Sequence, residues 1–256
     1  MILPLVLHIP HSATLIPAPY RADFALTDAQ LQHELLLMTD HYTDELFVSN
    51  DLNVRSVRFP VSRLLLDPER FLDDASEPMA ERGMGVVYTK TSMGLPLRKS
   101  LTVARRQQLI DAFYHPHHLA LTQKVEQDLN QYNRALIIDC HSFPAQPLPY
   151  EPNQNLQRPD ICLGTDEFHT PVELLELAQD FFTQAGLKVA VNEPFAGALV
   201  PLKFHRTEPR VHALMVEVNR RLYMDENTGN KNADFSRIRT LIQAFLTNIS
   251  RQSMPS

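Results

Sequence analysis

The chain has 256 residues, of which 44% are hydrophobic and 21% are charged, and its formal net charge is −6. This length and composition suffice for a hydrophobic core of ordinary size, and we expect a single domain over residues 1–256. The negative charge argues against a protein that binds nucleic-acid phosphates, because such proteins need a basic face. No apolar run of about 18 residues is present, so a membrane span is not expected.

The two cysteines, Cys140 and Cys162, lie in apolar runs typical of strands. Two thiols do not form a disulfide framework, so both are interpreted as reduced core residues, with a metal-binding thiol as the lesser alternative. We therefore expect the chain in the cytoplasm. The opening segment, MILPLVLHIPHS, lacks the basic region and cleavage site of a signal peptide and predicts a first strand.

The first half of the chain predicts strands separated by helices. Residues 3–9 are an apolar run typical of a buried strand. Thr27 and Gln30 have the spacing of a capping box, and apolar residues recur at helical spacing over 31–46, which predicts one helix there. Further strands are predicted at 54–59, 62–67 and 86–89.

The second half continues this alternation. Thr102 begins a helical stretch that Pro116 is expected to kink or break. Thr170, Pro171 and Glu173 combine a cap, a first-turn proline and a capping-box acid at the start of another helix. Strands are predicted at 135–139, 161–163, 188–192 and 211–219, and a closing helix at 234–249. The whole pattern indicates an α/β fold with a mixed, largely parallel sheet flanked by helices.

Polar side chains follow three predicted strands at their carboxyl ends. His11 comes after the first strand, His141 after the strand at 135–139, and Glu217 near the end of the late strand. Ligands bind at this edge of such sheets, so these three side chains are expected to meet. Imidazole and carboxylate are zinc ligands, and a hydrolytic zinc keeps one position open for water. For each histidine alone, an ordinary loop or core residue is the alternative.

The third metal ligand stays open on this reasoning. Asp40 and Asp44 are four residues apart on the predicted helix and would share a face, while ordinary surface acids are the alternative. His8 is expected to be structural or to support a ligand. Asp139, two residues before His141, either orients that imidazole or caps the following turn.

Arginines and further histidines provide other candidates. Arg63 and Arg70 flank an apolar segment, where a guanidinium suits a substrate carboxylate or an ion pair with a nearby aspartate. The histidine-rich segment at 114–118 is discounted as a metal cluster, and a structural or substrate-contacting role is expected. The sequence contains no GxSxG elbow, P-loop or GxGxxG motif, so the corresponding enzyme classes are not expected.

Seven segments, in order along nearly the whole chain, resemble the N-formylglutamate amidohydrolase family. They are HIPHSATLIP, TDHYTDELF, SRLLLDPERF, FYHPHHLAL, DCHSF, NEPFAGALV and VEVNRRLYMDE. The resemblance implies a zinc hydrolase with the carboxypeptidase-like (phosphorylase/hydrolase-like) α/β fold. It also implies a small-molecule partner, N-formyl-L-glutamate, whose formyl amide is cleaved to formate and glutamate during histidine degradation.

The resemblance also implies roles for individual residues. His11 and His141 correspond to metal ligands, and Asp40 becomes the third ligand by similarity to the zinc amidases of bacterial cell walls. Glu217 corresponds to the general base. The candidates for substrate binding are Arg63, Arg70, Asn219 and Arg220.

Three departures from the family pattern fall on loops that are expected to shape the pocket. Ala13 replaces the glycine of the usual His-Ser-Gly, residues 67–70 read Asp-Pro-Glu-Arg where Asp-x-Asn-Arg is usual, and FAGAL at 195–199 lacks a second glycine. These departures affect which substrate the pocket is expected to bind. The alternatives are therefore a carboxypeptidase- or aspartoacylase-like hydrolase of another N-acyl amino acid or small peptide, and an inert ligand-binding relative. Retention of the histidine pair and Glu217 argues against the inert relative.

Overall fold

The structure is a computed structural model that describes residues 4–48 and 54–251. Its described strands are β1 (Leu5–Ile9), β2 (Val54–Arg58), β3 (Ala135–Phe143), β4 (Ile161–Gly164), β5 (Val189–Val191) and β6 (Val211–Asn219). They form one sheet in the order β2-β1-β3-β6-β4-β5. The first four strands in that order are parallel, whereas β4 runs antiparallel to β6 and parallel to β5. The predicted mixed, largely parallel sheet is confirmed.

Helices cover both faces of the sheet. The helices of the described residues are α1 (Ala18–Arg21), α2 (Asp28–Met38), α3 (Thr43–Phe47), α4 (Val103–Leu109), α5 (His115–Tyr132), α6 (Val172–Gln184) and α7 (Phe235–Arg251). Short 3₁₀ turns lie at Ala80–Arg82 and Arg220–Leu222. No helix of the described residues is long and apolar enough to cross a membrane.

The sheet separates two of the three core clusters. On one face, apolar side chains of β1, β3 and β6 pack against α3, α6 and α7, with Leu46, Phe182 and Phe245 fully buried. On the other face, Leu121 and Val125 of α5 pack against strand residues of opposite parity. A third cluster joins α2 to the irregular segment 59–110. The sheet therefore has no solvent-exposed face in its centre.

The helix predicted over 31–46 is interrupted. The capping box of Thr27 and Gln30 forms as predicted, but α2 ends at Met38 and α3 starts only at Thr43. Between them Tyr42 adopts a left-handed backbone, φ 65°. The prediction of one helix was therefore wrong. The apolar residues keep helical spacing on both sides of the break, so the sequence pattern does not reveal where the backbone leaves the helix.

The strands predicted at 62–67 and 86–89 were also wrong. Both stretches are irregular, and their apolar residues fill the third core cluster without pairing in the sheet. Arg98 supplies hydrogen bonds that a neighbouring strand would otherwise provide, donating to the carbonyls of Leu64, Leu65 and Tyr88. Apolar content predicted burial correctly, but burial here does not require a strand.

Two helix starts also differ from expectation. Pro171 occupies the cap position of α6, because the Thr170 hydroxyl is used by Ala213 O and Asp166 N. Pro116 does not end a helix. It lies in the first turn of α5, directly after a π-helical turn, Ile110–Tyr114, that joins α4 to α5. A wide turn of this kind accommodates the missing proline N–H.

Candidate active site

Strand register places four polar side chains on one face of the sheet. His8 of β1 is the register partner of Asp139 in β3, and His141 of β3 is the partner of Glu217 in β6. Asp139 and His141 are two residues apart, so their side chains leave the same face of β3. All four side chains are buried. The sheet itself therefore assembles the polar centre of the molecule.

His11, Asp40 and His141 come together at the carboxyl end of β1 and β3. Asp40 Oδ2 lies 3.1 Å from His141 Nδ1 and 3.6 Å from His11 Nδ1. The backbone N–H of Asp40 donates to the His11 carbonyl, so the break between α2 and α3 is tied to the end of β1. Asp44 lies elsewhere and pairs with Arg58. The structure thus distinguishes the two acids that the sequence left open.

The far nitrogen of each imidazole faces a carboxylate. His11 Nε2 lies 2.9 Å from Asp67 Oδ1, and His141 Nε2 lies 3.0 Å from Asp139 Oδ1. Asp40 faces the Nδ1 atom of both rings, so His141 has carboxylates on both sides, and these raise its pKa although burial lowers it. With a cation bound among the Nδ1 atoms, each Nε2 would donate its proton to the facing aspartate and each Nδ1 would offer a lone pair. His11 Nδ1 is buried without a hydrogen-bond partner.

This donor set fits a divalent cation. Three ligating atoms lie close enough to share one ion, and His11, Asp40 and His141 are all buried. Burial alone would raise the pKa of Asp40, but hydrogen bonds and charge from the two histidines hold it well below its usual range. Two imidazoles and an ionised carboxylate are a common ligand set of catalytic zinc sites.

Glu217 lies beside the candidate metal ligands and is buried. Its Oε2 is buried and has no hydrogen-bond partner among the described residues. Burial, with further contributions from Asp40 and Glu69, raises the pKa of Glu217 to about 8. A carboxyl group with a raised pKa next to a cation site is suited to move protons near neutral pH.

The three predicted arginines differ in how far the protein already uses them. Arg220 donates to Asp40 Oδ1 at 3.1 Å, to Leu37 O at 2.6 Å and to Ser142. Arg220 therefore orients Asp40 through its Oδ1 atom, and Asp40 Oδ2 faces the two histidines. Arg220 also lines the cavity, so its contact with substrate stays a prediction.

Arg63 and Arg70 keep free donors. Arg63 bonds Tyr88 and Asp67, but its Nη1 makes no hydrogen bond to the described residues and lies 3.8 Å from Asp40 Oδ1. Arg70 makes no side-chain hydrogen bond to the described residues, and its Nε is buried 3.6 Å from Asp67 Oδ2. Both arginines line the cavity beside the candidate metal group.

Asn219 is not brought to this site. Its side chain is fully buried, donates to Pro159 O and accepts from the Arg221 N–H. Asn219 thereby caps the 3₁₀ turn after β6. Asn219 does not line the cavity, so the geometry gives no support to the predicted contact with substrate. Both cysteines are buried and free, as expected of core thiols.

The cavity has a volume of about 280 Å³ and includes residues that sequence reasoning missed. Glu69 lies on its wall, with Oε1 3.2 Å from His141 Nε2 and Oε2 3.5 Å from His11 Nε2. Tyr150 lines it from the proline-rich loop at 144–159. Both lie on irregular segments, where no periodicity indicates which way a side chain points. The departure at residues 67–70 was the available signal for Glu69.

Comparison with known proteins assigns the chain to a family. The family model for N-formylglutamate amidohydrolase matches residues 3–224. The chain belongs to the N-formylglutamate amidohydrolase family. An N-formylglutamate deformylase of Pseudomonas putida is 27% identical over 233 residues, which cover 88% of this chain and 83% of that protein. The deformylase of Pseudomonas aeruginosa is 25% identical and covers 87% and 83%.

Solved structures of two relatives agree with the fold. The N-formylglutamate amidohydrolase of Ralstonia eutropha superposes with a TM-score of 0.81 at 25% identity, covering 97% of this chain and 93% of that one. A protein of Agrobacterium tumefaciens with 18% identity has a TM-score of 0.64 over 97% of this chain and 92% of its own, and it shows the shared fold alone. Family membership supports hydrolysis of an amide as the chemistry of the site.

Proposed function

We propose that this amidohydrolase is a zinc-dependent enzyme that cleaves N-formyl-L-glutamate to formate and L-glutamate. The observation that carries the proposal is the orientation of the histidine pair. His11 and His141 each turn Nε2 to an aspartate and Nδ1 toward Asp40 Oδ2, which leaves three converging ligand atoms. The names of the Pseudomonas and Ralstonia relatives support the choice of substrate.

The zinc ion would be held by His11, Asp40 and His141. When bound, it supplies a Lewis acid that acidifies water and polarises the formyl carbonyl. Glu217 is the residue placed to move the proton. Its pKa of about 8 without a cation falls when positive charge is bound nearby, so the carboxylate is ionised at neutral pH.

The reaction needs one proton transfer in each direction. Glu217 accepts a proton from the attacking water, whose oxygen bonds to the formyl carbon. The bond between that carbon and the amide nitrogen then breaks, and Glu217 passes the proton to the leaving nitrogen. The products are formate and the free amine of L-glutamate.

Most of the binding free energy must come from the glutamate part, because the formyl group is small. Arg63 Nη1 and the Arg70 guanidinium are cavity-lining donors without a hydrogen bond to any residue in 4–48 or 54–251. Guanidinium groups bind carboxylates through two parallel hydrogen bonds, so we assign Arg63 and Arg70 to the substrate carboxylates. Tyr150 lines the same cavity and adds a hydroxyl group.

The test replaces the proton-transfer residue while leaving the ligands intact. We expect Glu217→Gln to retain one zinc ion per chain and to lose at least about 100-fold in formate release, as is typical when a general base is removed. Glu176→Gln, on the exposed side of α6, is the matched control and should keep wild-type turnover. Wild-type turnover in Glu217→Gln would contradict the assignment.

The substrate is tested separately on the wild-type enzyme. N-formyl-L-glutamate should be hydrolysed faster than N-acetyl-L-glutamate or a dipeptide, and activity should disappear with a chelator and return with zinc. Faster hydrolysis of another acyl amino acid would contradict the proposed substrate but not the proposed mechanism. Hydrolysis that persists without metal would overturn zinc dependence.

A further inference from the structure

A chain of buried hydrogen bonds runs from helix α5 to His141. His117 Nε2 lies 2.8 Å from His8 Nε2, and His8 Nδ1 lies 2.7 Å from Asp139 Oδ1. The same Asp139 oxygen lies 3.0 Å from His141 Nε2. All four side chains are at most 5% exposed. We call His117, His8 and Asp139 the imidazole–carboxylate chain.

The direction of the hydrogen bonds to Asp139 follows from the chemistry of the acceptor. Asp139 Oδ1 faces two imidazole nitrogens and Asp139 Oδ2 accepts a backbone N–H, so this carboxylate is the acceptor in every contact that it makes. Both nitrogens that face it, His8 Nδ1 and His141 Nε2, therefore carry protons. His8 Nε2 and His117 Nε2 share a single hydrogen bond, in which one nitrogen donates and the other accepts. Burial lowers the pKa of His117 to about 2, which keeps that ring neutral.

Further contacts hold the chain in place. Asp139 Oδ2 accepts the Leu199 N–H at 3.0 Å, so both carboxylate oxygens are used. The His117 ring packs edge-on against Phe59, with 5.1 Å between ring centres. His8 and His117 do not line the cavity. His8 Nδ1 meets the site most closely at Asp139, at 2.7 Å, and lies 3.7 Å from Glu69 Oε1. Asp139 is therefore the main route by which His8 acts on His141.

We infer that the imidazole–carboxylate chain positions His141, holding its Nε2–H toward Asp139 so that Nδ1 stays free for the metal. Without the chain, rotation of the ring or a change of tautomer would present an N–H to the ion. Outer partners of this kind fix the orientation of ligating histidines and raise their basicity. The inference rests on the proposed function, because it takes His141 to be a zinc ligand.

The sheet and the π-helical turn explain how the chain forms. Parallel register sets His8 beside Asp139, and the two-residue repeat of β3 sets Asp139 beside His141. The π-helical turn immediately precedes α5 and sets the rotation of that helix, so that His117 reaches the sheet. The histidine-rich segment discounted as a metal cluster thus contributes one ring to the site.

The test measures zinc affinity by competition with a chelator in four proteins. We expect His8→Phe to bind zinc about 10-fold more weakly than wild type, the lower end of the loss seen when an outer partner is removed. His8→Asn should recover most of that loss, because its amide places a donor where Nδ1–H was. His115→Phe is the control, since His115 lies on the same helix and is exposed.

A second readout separates positioning from general loss of structure. In NMR of the histidine-labelled, zinc-loaded protein, wild type should show slowly exchanging N–H protons at His8 Nδ1 and His141 Nε2. The His141 signal should exchange faster in His8→Phe and slowly again in His8→Asn. A merely structural role for His8 would lower the melting temperature without changing which His141 nitrogen is protonated.

The outcomes distinguish this inference from the proposed function. Equal zinc affinity in His8→Phe and wild type overturns the inference and leaves the function intact. Two zinc ions per chain, with His8 and Asp139 as ligands, overturn it as well. A wild-type protein that binds zinc at His141 without hydrolysing N-formyl-L-glutamate contradicts the function alone. A wild-type protein that binds no zinc contradicts both.

Discussion

Three arginines at one cavity illustrate how the surroundings of a residue decide its role. The Arg220 side chain makes four hydrogen bonds to protein acceptors, one of them Asp40, whereas the Arg70 side chain makes none to the described residues. Identical side chains are therefore expected to affect different steps. Removing Arg220 should disturb the metal site, and removing Arg70 should disturb substrate binding.

Arg220→Gln is expected to weaken zinc binding by roughly 10- to 100-fold, because Asp40 loses the partner that orients it. The measurement is chelator competition, with Arg221→Gln as the control. Arg221 is adjacent in sequence, exposed and paired with Asp160 instead. Undiminished zinc affinity in Arg220→Gln would show that Asp40 does not need this contact.

Arg70→Gln is expected to raise KM for N-formyl-L-glutamate by roughly 10- to 100-fold, the usual effect of losing a charged hydrogen bond. Zinc affinity should remain that of wild type, because Arg70 does not contact the three proposed ligands. Steady-state kinetics over a wide substrate range separates KM from kcat. An unchanged KM would remove Arg70 from the substrate site.

Among the individual site residues, the sequence predicted those on strands or directly after them and missed those on loops. His11, His141 and Glu217 follow from the rule that ligands bind at the carboxyl ends of parallel strands. Asp40 needed the family resemblance, because a helix break places it at the site. Glu69 and Tyr150 lie on irregular segments, and long-range packing alone determines their positions.

Helix α5 carries a buried acid with its own pH dependence. Asp128 is buried on the side that faces β2, and Arg55 Nη1 lies 2.9 Å from it. Burial raises the pKa of Asp128 to about 6 despite this neighbour. The folded protein therefore binds a proton more tightly than the unfolded chain does, and this stabilising contribution is lost as pH rises from about 4 to above 6.

Asp128→Asn is expected to gain stability relative to wild type as pH rises. The difference in unfolding free energy between variant and wild type should be up to about 2 kcal/mol more favourable at pH ~7.5 than at pH ~4.5, since one pKa unit is worth about 1.4 kcal/mol. Urea unfolding at both values measures it. A difference that does not change with pH would contradict the raised pKa.

Prediction of elements succeeded where a single local pattern decides the structure. The capping box at Thr27 and the apolar run of β6 each specify their element without help from distant residues. The failures at 62–67 and 86–89 have one cause. An apolar run specifies burial, but whether its backbone pairs in a sheet depends on which distant group satisfies its carbonyls.

Across the whole molecule, a regular sheet and an irregular segment share the site. His141 and Glu217 lie on strands and His11 directly follows β1, whereas the irregular segment after β2 carries Arg63, Glu69 and Arg70 of the cavity wall. The irregular segment has few backbone hydrogen bonds of its own to regular elements. Arg98 compensates for this shortage by donating hydrogen bonds to both halves of the irregular segment.

Arg98 is unusual because it is buried without a carboxylate bonded to it. It donates to three backbone carbonyls, lies 4.7 Å from the centre of the Phe24 ring, and has its pKa lowered to about 10 by burial. Its role is thus to satisfy backbone acceptors that would otherwise be buried without donors. Such acceptors cost about 1 to 3 kcal/mol each when they lose their partner.

Arg98→Met keeps the length and apolar stem of the side chain and removes its donors. We expect a loss of about 2 to 4 kcal/mol in unfolding free energy, faster proteolysis within 60–98, and a higher KM because Arg70 moves with the segment. Zinc affinity should fall less, because the three ligands lie outside the segment. Lys99→Met is the control, since the Lys99 side chain is exposed and donates to Ala22 O. Equal stability and KM in Arg98→Met and Lys99→Met would show that packing alone holds the segment in place.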